Sequence, residues 1–220
     1  MIKHFFSNDD KHKIREALIK AERGTSGEIV PVIANISGKY EFAGCIFGLF
    51  FSIVVFSVIW LVLHNYLVYR MDLGPYRLLG LVVCIYLVSF IVGEKIASHF
   101  PMLKRPFLDK KSIHDQVESK ACESFYKFGV GHTRGMTGIL IYVSLFERRV
   151  VIKGDYAITE KLHQKDWEMI CNIIITGIQN NTTDKAFVAA IHECGELLKK
   201  HFPSKKKKKN ELENTIHILH

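Results

Sequence analysis

Charge is missing from a long stretch of this chain: from Phe42 to Tyr69 there is no Asp, Glu, Lys or Arg. That absence excludes an amphipathic surface helix, and a helix needs only about 20 residues to cross the roughly 30 Å hydrocarbon layer of a bilayer. A second uncharged stretch, Leu78 to Gly93, covers about 24 Å as a helix. Arg77 and Lys95 flank it, and their aliphatic stems can carry the charges to the interface. Paired cysteines are missing too. Cys45, Cys84, Cys122, Cys171 and Cys194 stand apart, which excludes a CxxC redox site or a zinc ligand set and suits a reducing compartment. The histidines make no HxxxH pair, and there is no GxSxG elbow, no phosphate-binding P-loop and no cysteine loop closed by arginine. Residues 1–10 lack the apolar run of a cleavable signal, so the amino terminus is expected to stay on the side where it is made.

What is present is one modest soluble domain wrapped around a hydrophobic hairpin, within 220 residues of net charge +8. Two spans return the chain to its starting side. Lys39, Lys95, Lys104, Arg105, Lys110 and Lys111 crowd that side, against Arg70 and Arg77 in the link, so both termini and the soluble domain are expected in the cytoplasm, with the hairpin in the inner membrane. The expected division is residues 1–38 as the first part of the soluble domain, 42–69 and 76–96 as membrane helices, and 97–111 as an irregular basic linker. Residues 112–203 form the second part of the domain, and 204–220 a disordered basic tail.

In chain order, Ser7 with Asp10 predicts a capped helix carrying Ile14, Ala17, Leu18 and Ala21 on one face and ending at Gly24. Glu28–Ala34 predicts a strand, placed at a sheet edge by Pro31, which cannot donate to a ladder. After the hairpin, Ile113, Val117, Ala121, Phe125 and Phe128 mark a helix. Residues 138–145 and 149–153 then read as two strands of a hairpin turning at Phe146–Arg148. Two helices follow, one starting at Asp166 and one at Thr183, with apolar faces at Trp167, Ile170, Ile174, Ile178 and at Phe187, Ala190, Ile191, Cys194, Leu198. The fold class is α/β, a small mixed sheet flanked by helices and interrupted by a transmembrane α-helical hairpin.

Two segments carry a resemblance: Ala21-Glu22-Arg23-Gly24-Thr25-Ser26-Gly27-Glu28-Ile29-Val30, and Thr137-Gly138-Ile139-Leu140-Ile141-Tyr142-Val143-Ser144 continuing through Glu147-Arg148-Arg149-Val150-Val151-Ile152 to Gly154-Asp155. They resemble the TPM-domain family, and within it bacterial membrane members with a two-helix insertion. The resemblance implies an α/β sandwich. On function it implies either phosphatase activity, as claimed for some members, or an assembly, repair or modulatory role on membrane complexes. Pro31 departs from the all-apolar first strand usual in the family.

If the first two strands run parallel and the third returns antiparallel, one sheet edge gathers Glu28, the loop His132–Thr137 and Asp155. Glu28, Asp155 and Thr137 would offer oxygen ligands to Mg²⁺ or Ca²⁺, and Asp155, His132 and Arg134 would serve phosphate-ester hydrolysis. The competing reading is that Glu28 and Asp155 simply bound strands. Open α/β sheets usually bind ligands at the other, carboxyl edge, which counts against the hydrolytic reading. Gly44, Gly48 and Ser52 form a small-residue row suited to a close helix contact, with Gly80 and Cys84, a second copy or a membrane-protein partner opposite. Lys205, Lys206, Lys207, Lys208 and Lys209 suit anionic lipid at about 1 kcal/mol each, and without interleaved aromatics they do not suggest nucleic acid. The function expected first is a membrane-anchored, non-catalytic binding, assembly or modulatory module acting on a membrane complex. A metal-assisted phosphatase is the alternative.

Overall fold

A computed structural model describes residues 7–69, 75–204 and 210–219. Contacts divide the chain into two units, Met1–Gly38 with Ile113–His220, and Lys39–Ser112.

The first unit is built on a four-stranded sheet of order β3-β2-β1-β4. β1 (Glu28–Ala34) pairs parallel with β2 (Gly138–Ser144), Glu28 opposite Gly138 and Ala34 opposite Ser144. β3 (Arg149–Gly154) returns antiparallel to β2, as the hairpin spacing predicts, with Arg148 turning the chain at φ 53°. Every residue of β1 and β2 is buried, as expected where both faces of a sheet are covered. Strand parity sorts them into two cores. Ile29, Ile33, Ile139, Ile141 and Val143 face α1 (Asn8–Ala21), α6 (Gln164–Gln179) and α7 (Thr183–His201), whose contributions include Ile14, Leu18, Ile170, Ile174 and Phe187. Val30, Val32, Leu140 and Tyr142 face α4 (Lys110–Lys127) through Val117, Ala121 and Phe125.

Local chemistry sets the helix ends. Ser7 caps α1 in the anticipated reciprocal box with Asp10, and Gly24 then turns the chain at φ +86°. α6 starts earlier than expected: His163 is its cap, and Asp166 sits at the third helical position, where its carboxylate accepts the His163 N–H at 2.9 Å. In α7 the cap is Thr182, not Thr183. A short helix, α5 (Tyr156–Lys161), was not anticipated; at six residues it is too short to show a periodic face.

Two further expectations are corrected. Residues 204–220 do not form a disordered tail throughout, because His217–Leu219 make β4, parallel to β1 with His217 opposite Val32. The five lysines that dominate that segment's composition, Lys205–Lys209, lie outside the described residues. β4 also makes β1 an internal strand. Pro31 is tolerated there for a register reason: Glu28 N–H and the Ala34 carbonyl bond toward β2, whereas Ile29 and Asn35 N–H bond toward the opposite side. Pro31 falls in the second set, one step before β4 begins at Val32, so its missing N–H breaks no ladder bond.

The second unit contains α2 (Glu41–Tyr69) and α3 (Pro75–His99), followed by a 3₁₀ helix at Pro101–Phe107 where an irregular linker was expected. Pro101 starts that helix, where its fixed φ costs nothing. Within Glu41–Val62 and Tyr76–His99 both helices are long and apolar enough to cross a membrane. They approach closely at Gly48 and Gly93: a methyl on Gly93 would stand 3.1 Å from Gly48 Cα and 2.9 Å from Phe51 Cβ. The small-residue row is therefore used inside the hairpin. Its partner is Gly93 rather than Gly80, since in an antiparallel pair a residue near the start of one helix meets one near the end of the other. Ser52 is buried, Gly44 faces the Lys104 side chain, and Gly80 has open space beside it. Gly93→Leu should cost about 1–3 kcal/mol by overpacking, read as a lower melting temperature in detergent, while Gly80→Leu leaves melting unchanged.

Candidate functional site

The five candidate residues lie along one sheet edge. Glu28 stands opposite Gly138, the Gly138 carbonyl accepts the Asp155 N–H at 2.8 Å, and Glu28 N–H donates to the Thr137 carbonyl at 3.2 Å. With strands about 4.8 Å apart, the Glu28 and Asp155 backbones are separated by about 10 Å. The loop before β2 is drawn tight by Thr133, whose hydroxyl accepts the Thr137 N–H, and Gly138 is required because a side chain there would overlap the Val130 carbonyl.

The side chains are largely engaged by their own chain. Glu28 is buried at 1% exposure, and its Oε1 accepts the backbone N–H of Glu211 at 3.2 Å. The Thr137 hydroxyl donates to the Ser26 carbonyl at 2.9 Å. Asp155 caps α5, Oδ1 accepting the Tyr156 N–H at 2.7 Å, while Oδ2 is buried and finds no hydrogen-bond partner among the described residues. His132 and Arg134 are exposed. No group of three or more His, Cys, Asp or Glu that could hold a metal occurs among the described residues.

The segment that reaches this edge, Asn210–Leu219, gave no sequence signal. Glu211 donates to Glu28 and accepts the Arg134 N–H on Oε2 at 2.9 Å. Ile216 enters the core on the α1 side, Leu212 and Leu219 pack on the α4 side, and the His217 ring stacks on Phe128 at 4.0 Å. Arg15, Glu22, Arg23, Glu28, Glu213 and Asn214 line a cavity of about 720 Å³ beside it.

A second polar group, also missed, closes the carboxyl ends of β1 and β2. The Ser37 hydroxyl lies 2.9 Å from the Tyr142 hydroxyl and 2.7 Å from that of Ser144, which donates to Glu147 Oε2. Glu147 Oε1 accepts the N–H groups of Ser37 at 2.8 Å and Gly38 at 3.3 Å. Burial pushes the Tyr142 phenol up to about 12, against the Ser37 hydrogen bond, so it stays neutral. The available signal was Tyr142 and Ser144 two apart on one face of an otherwise apolar strand.

With this architecture in view, residues 108–197, from just ahead of α4 into α7, match the family model described as TPM domain. Over that stretch the chain is similar to a TPM domain. β2, β3 and α4–α6 fall inside the matched range, while α1, β1 and β4 lie outside it. The NMR structure of the BA42 protein from the psychrophilic bacterium Bizionia argentinensis is similar in fold, with a TM-score of 0.60 at 20% identity over 99% of this chain and 98% of that one. No curated protein matches.

Two outcomes follow for the first unit. Glu147→Ala would strand the buried N–H of Gly38 and the hydroxyls at the strand ends, lowering stability by about 2 kcal/mol in chemical denaturation. Burial holds His217 below its usual value, with Glu213 opposing and Lys127 lying over the same Phe128 ring. A base depressed in the docked state leaves docking at full strength above the free value of about 6.5, and docking is lost as pH falls below it. The protection of the His217–Leu219 amides, taken relative to their intrinsic exchange rates, should therefore fall between pH 7 and pH 5, and His217→Phe should remove that fall.

Proposed function

We propose that this chain is a membrane-anchored binding module whose TPM domain acts without catalysis on a membrane complex. The observation that carries the reading is the engagement of the candidate hydrolytic groups by the chain's own backbone: Glu28 by Glu211, Thr137 by Ser26, and Asp155 by Tyr156. Such groups hold a fold together and leave little chemistry to a substrate. Anchoring is supported by α2 and α3, where only 11% of each candidate span is buried, so their apolar side chains need lipid. The excess of Lys and Arg on the domain side over Arg70 and Arg77 supports an inner-membrane location with both termini cytoplasmic. Lys205–Lys209, outside the described residues, supply charge suited to anionic headgroups.

A second reading, metal-assisted phosphate-ester hydrolysis, is favoured by one observation, the buried and partnerless Asp155 Oδ2. A Mg²⁺ or Ca²⁺ ion beside it, with Glu28 and Thr137, would satisfy that oxygen and polarise a phosphate near His132 and Arg134. The two readings separate in one preparation. Capture of a specific membrane complex from mild detergent, together with phosphatase turnover that is absent with and without divalent metal, is the expected result. Metal-dependent turnover abolished by Asp155→Ala would reverse the order of the readings.

A further inference from the structure

We propose that the 3₁₀ helix Pro101–Phe107 and the start of α2 together form a binding site for the headgroup of an anionic phospholipid, its phosphate held by Lys104 and Arg105. The site rests on the membrane-anchored reading and adds to it a ligand class and a place. α3 ends at His99, and the chain at Phe100 and Pro101 turns back along the hairpin. Phe107 then packs against Phe47 and Phe50 of α2, with ring centroids 6.3 Å apart in both pairs. Those two rings lie about 9–14 Å along α2 from Glu41 at 1.5 Å per residue. The 3₁₀ helix therefore lies beside the first turns of a candidate span rather than beyond its end. At that depth unsatisfied backbone donors are costly. Pro101 and Pro106 remove two of them, while the N–H groups of Leu103 and Leu108 donate to the carbonyls of Phe100 at 3.0 Å and Arg105 at 3.2 Å.

The side chains of this segment divide as an element in the headgroup region requires. Phe100, Met102 and Leu103 are 57%, 60% and 37% exposed, and the half-buried cations Lys104 and Arg105 follow at once. Such an order sets apolar groups among acyl chains and cations at the phosphates. Lys104 is seated on Gly44, the member of the small-residue row whose nearest neighbour is this lysine: a methyl there would stand 3.3 Å from Cε and 3.4 Å from Nζ. Its ammonium donates to the Lys39 carbonyl at 3.5 Å, which leaves two of its three donors for a ligand. Charge names the occupant. No Asp or Glu occurs between Lys95 and Leu108, and Glu41 and Glu94 are the acids nearest in sequence. Among the described residues Lys39, Lys95, Lys104 and Arg105 enter no ion pair. A lipid phosphate meets the cations while its acyl chains cover Phe100, Met102 and Leu103. A zwitterionic headgroup brings its own cation to the same place, so the anionic one is preferred.

The test uses the full-length chain in mild detergent, with dioleoyl phosphatidylglycerol and dioleoyl phosphatidylcholine as probes and native mass spectrometry counting bound lipid. Phosphatidylglycerol should bind about tenfold more tightly than phosphatidylcholine, and equal affinity overturns the site. Lys104→Gln combined with Arg105→Gln should abolish the preference, whereas glutamine at all of Lys205–Lys209 should leave it in place. A preference that survives the first change, or vanishes with the second, overturns the site as well. Millimolar inorganic phosphate should not displace the lipid; displacement would make the occupant a free anion and overturn the lipid. A photoactivatable phosphatidylglycerol with its diazirine on the headgroup should label Phe100–Phe107 of the unaltered chain. Labelling confined to other residues overturns the placement, whether or not the variants fold. Release of the chain from cell membranes by alkaline wash overturns the anchored reading; retention without the lipid preference overturns the site alone.

Discussion

The pairing of β1 with β2 is the constraint on which the rest depends. Seven residues of β1 are matched one to one with seven of β2, in parallel, across the whole of residues 39–112. Parallel neighbours need a long crossover, usually a helix laid over the same sheet. Here the crossover carries α2 and α3, and α4 then returns to cover one face of the sheet. A strand and a helix alone could not bury their apolar faces, so the amino-terminal piece acquires its fold only through this register. A one-residue slip would move Ile29, Ile33 and their partners from one core to the other.

That constraint creates two ends that must be closed, since strand termini leave N–H and carbonyl groups unmatched. The carboxyl end is closed by Ser37, Tyr142, Ser144 and Glu147, and the same carboxylate fastens the backbone at Ser37 and Gly38, where the chain leaves for the second unit. The amino end is closed by the tight turn at Thr133–Thr137, by Asp155 and by the late segment at Glu211. Polar residues that look like chemistry in a linear reading are thus used largely to satisfy backbone.

Much of this was legible in the sequence, and the limits are physical. The apolar helices, the capping box at Ser7, the β2–β3 hairpin and the gathering of Glu28, Thr137 and Asp155 follow from periodicity and local turn chemistry. β4 does not, because three residues paired in parallel leave no alternation to read and the neighbouring lysines dominate the composition. The misplacement of β1 at an edge has the same source: Pro31 does face an unpaired position, but only for one step before His217–Leu219 resume the sheet. Whether Glu28 binds a ligand or a backbone N–H was beyond any local rule, since its partner lies 183 residues away.

In open α/β sheets ligands usually enter at the carboxyl edge, where helix and strand ends diverge around a parallel switch point. In this domain that position is filled by a buried hydroxyl and carboxylate network, with Tyr142 and Ser144 fully enclosed. A ligand there would have to displace bonds to a buried carboxylate, each worth about 1.5–3 kcal/mol, before making any of its own. The amino edge differs in what covers it: a terminal segment held by a few backbone bonds, two aliphatic contacts to each core at most, and one ring stack. Of the two ends of the parallel pair, the one closed by fewer bonds is therefore the amino end, under Asn210–Leu219.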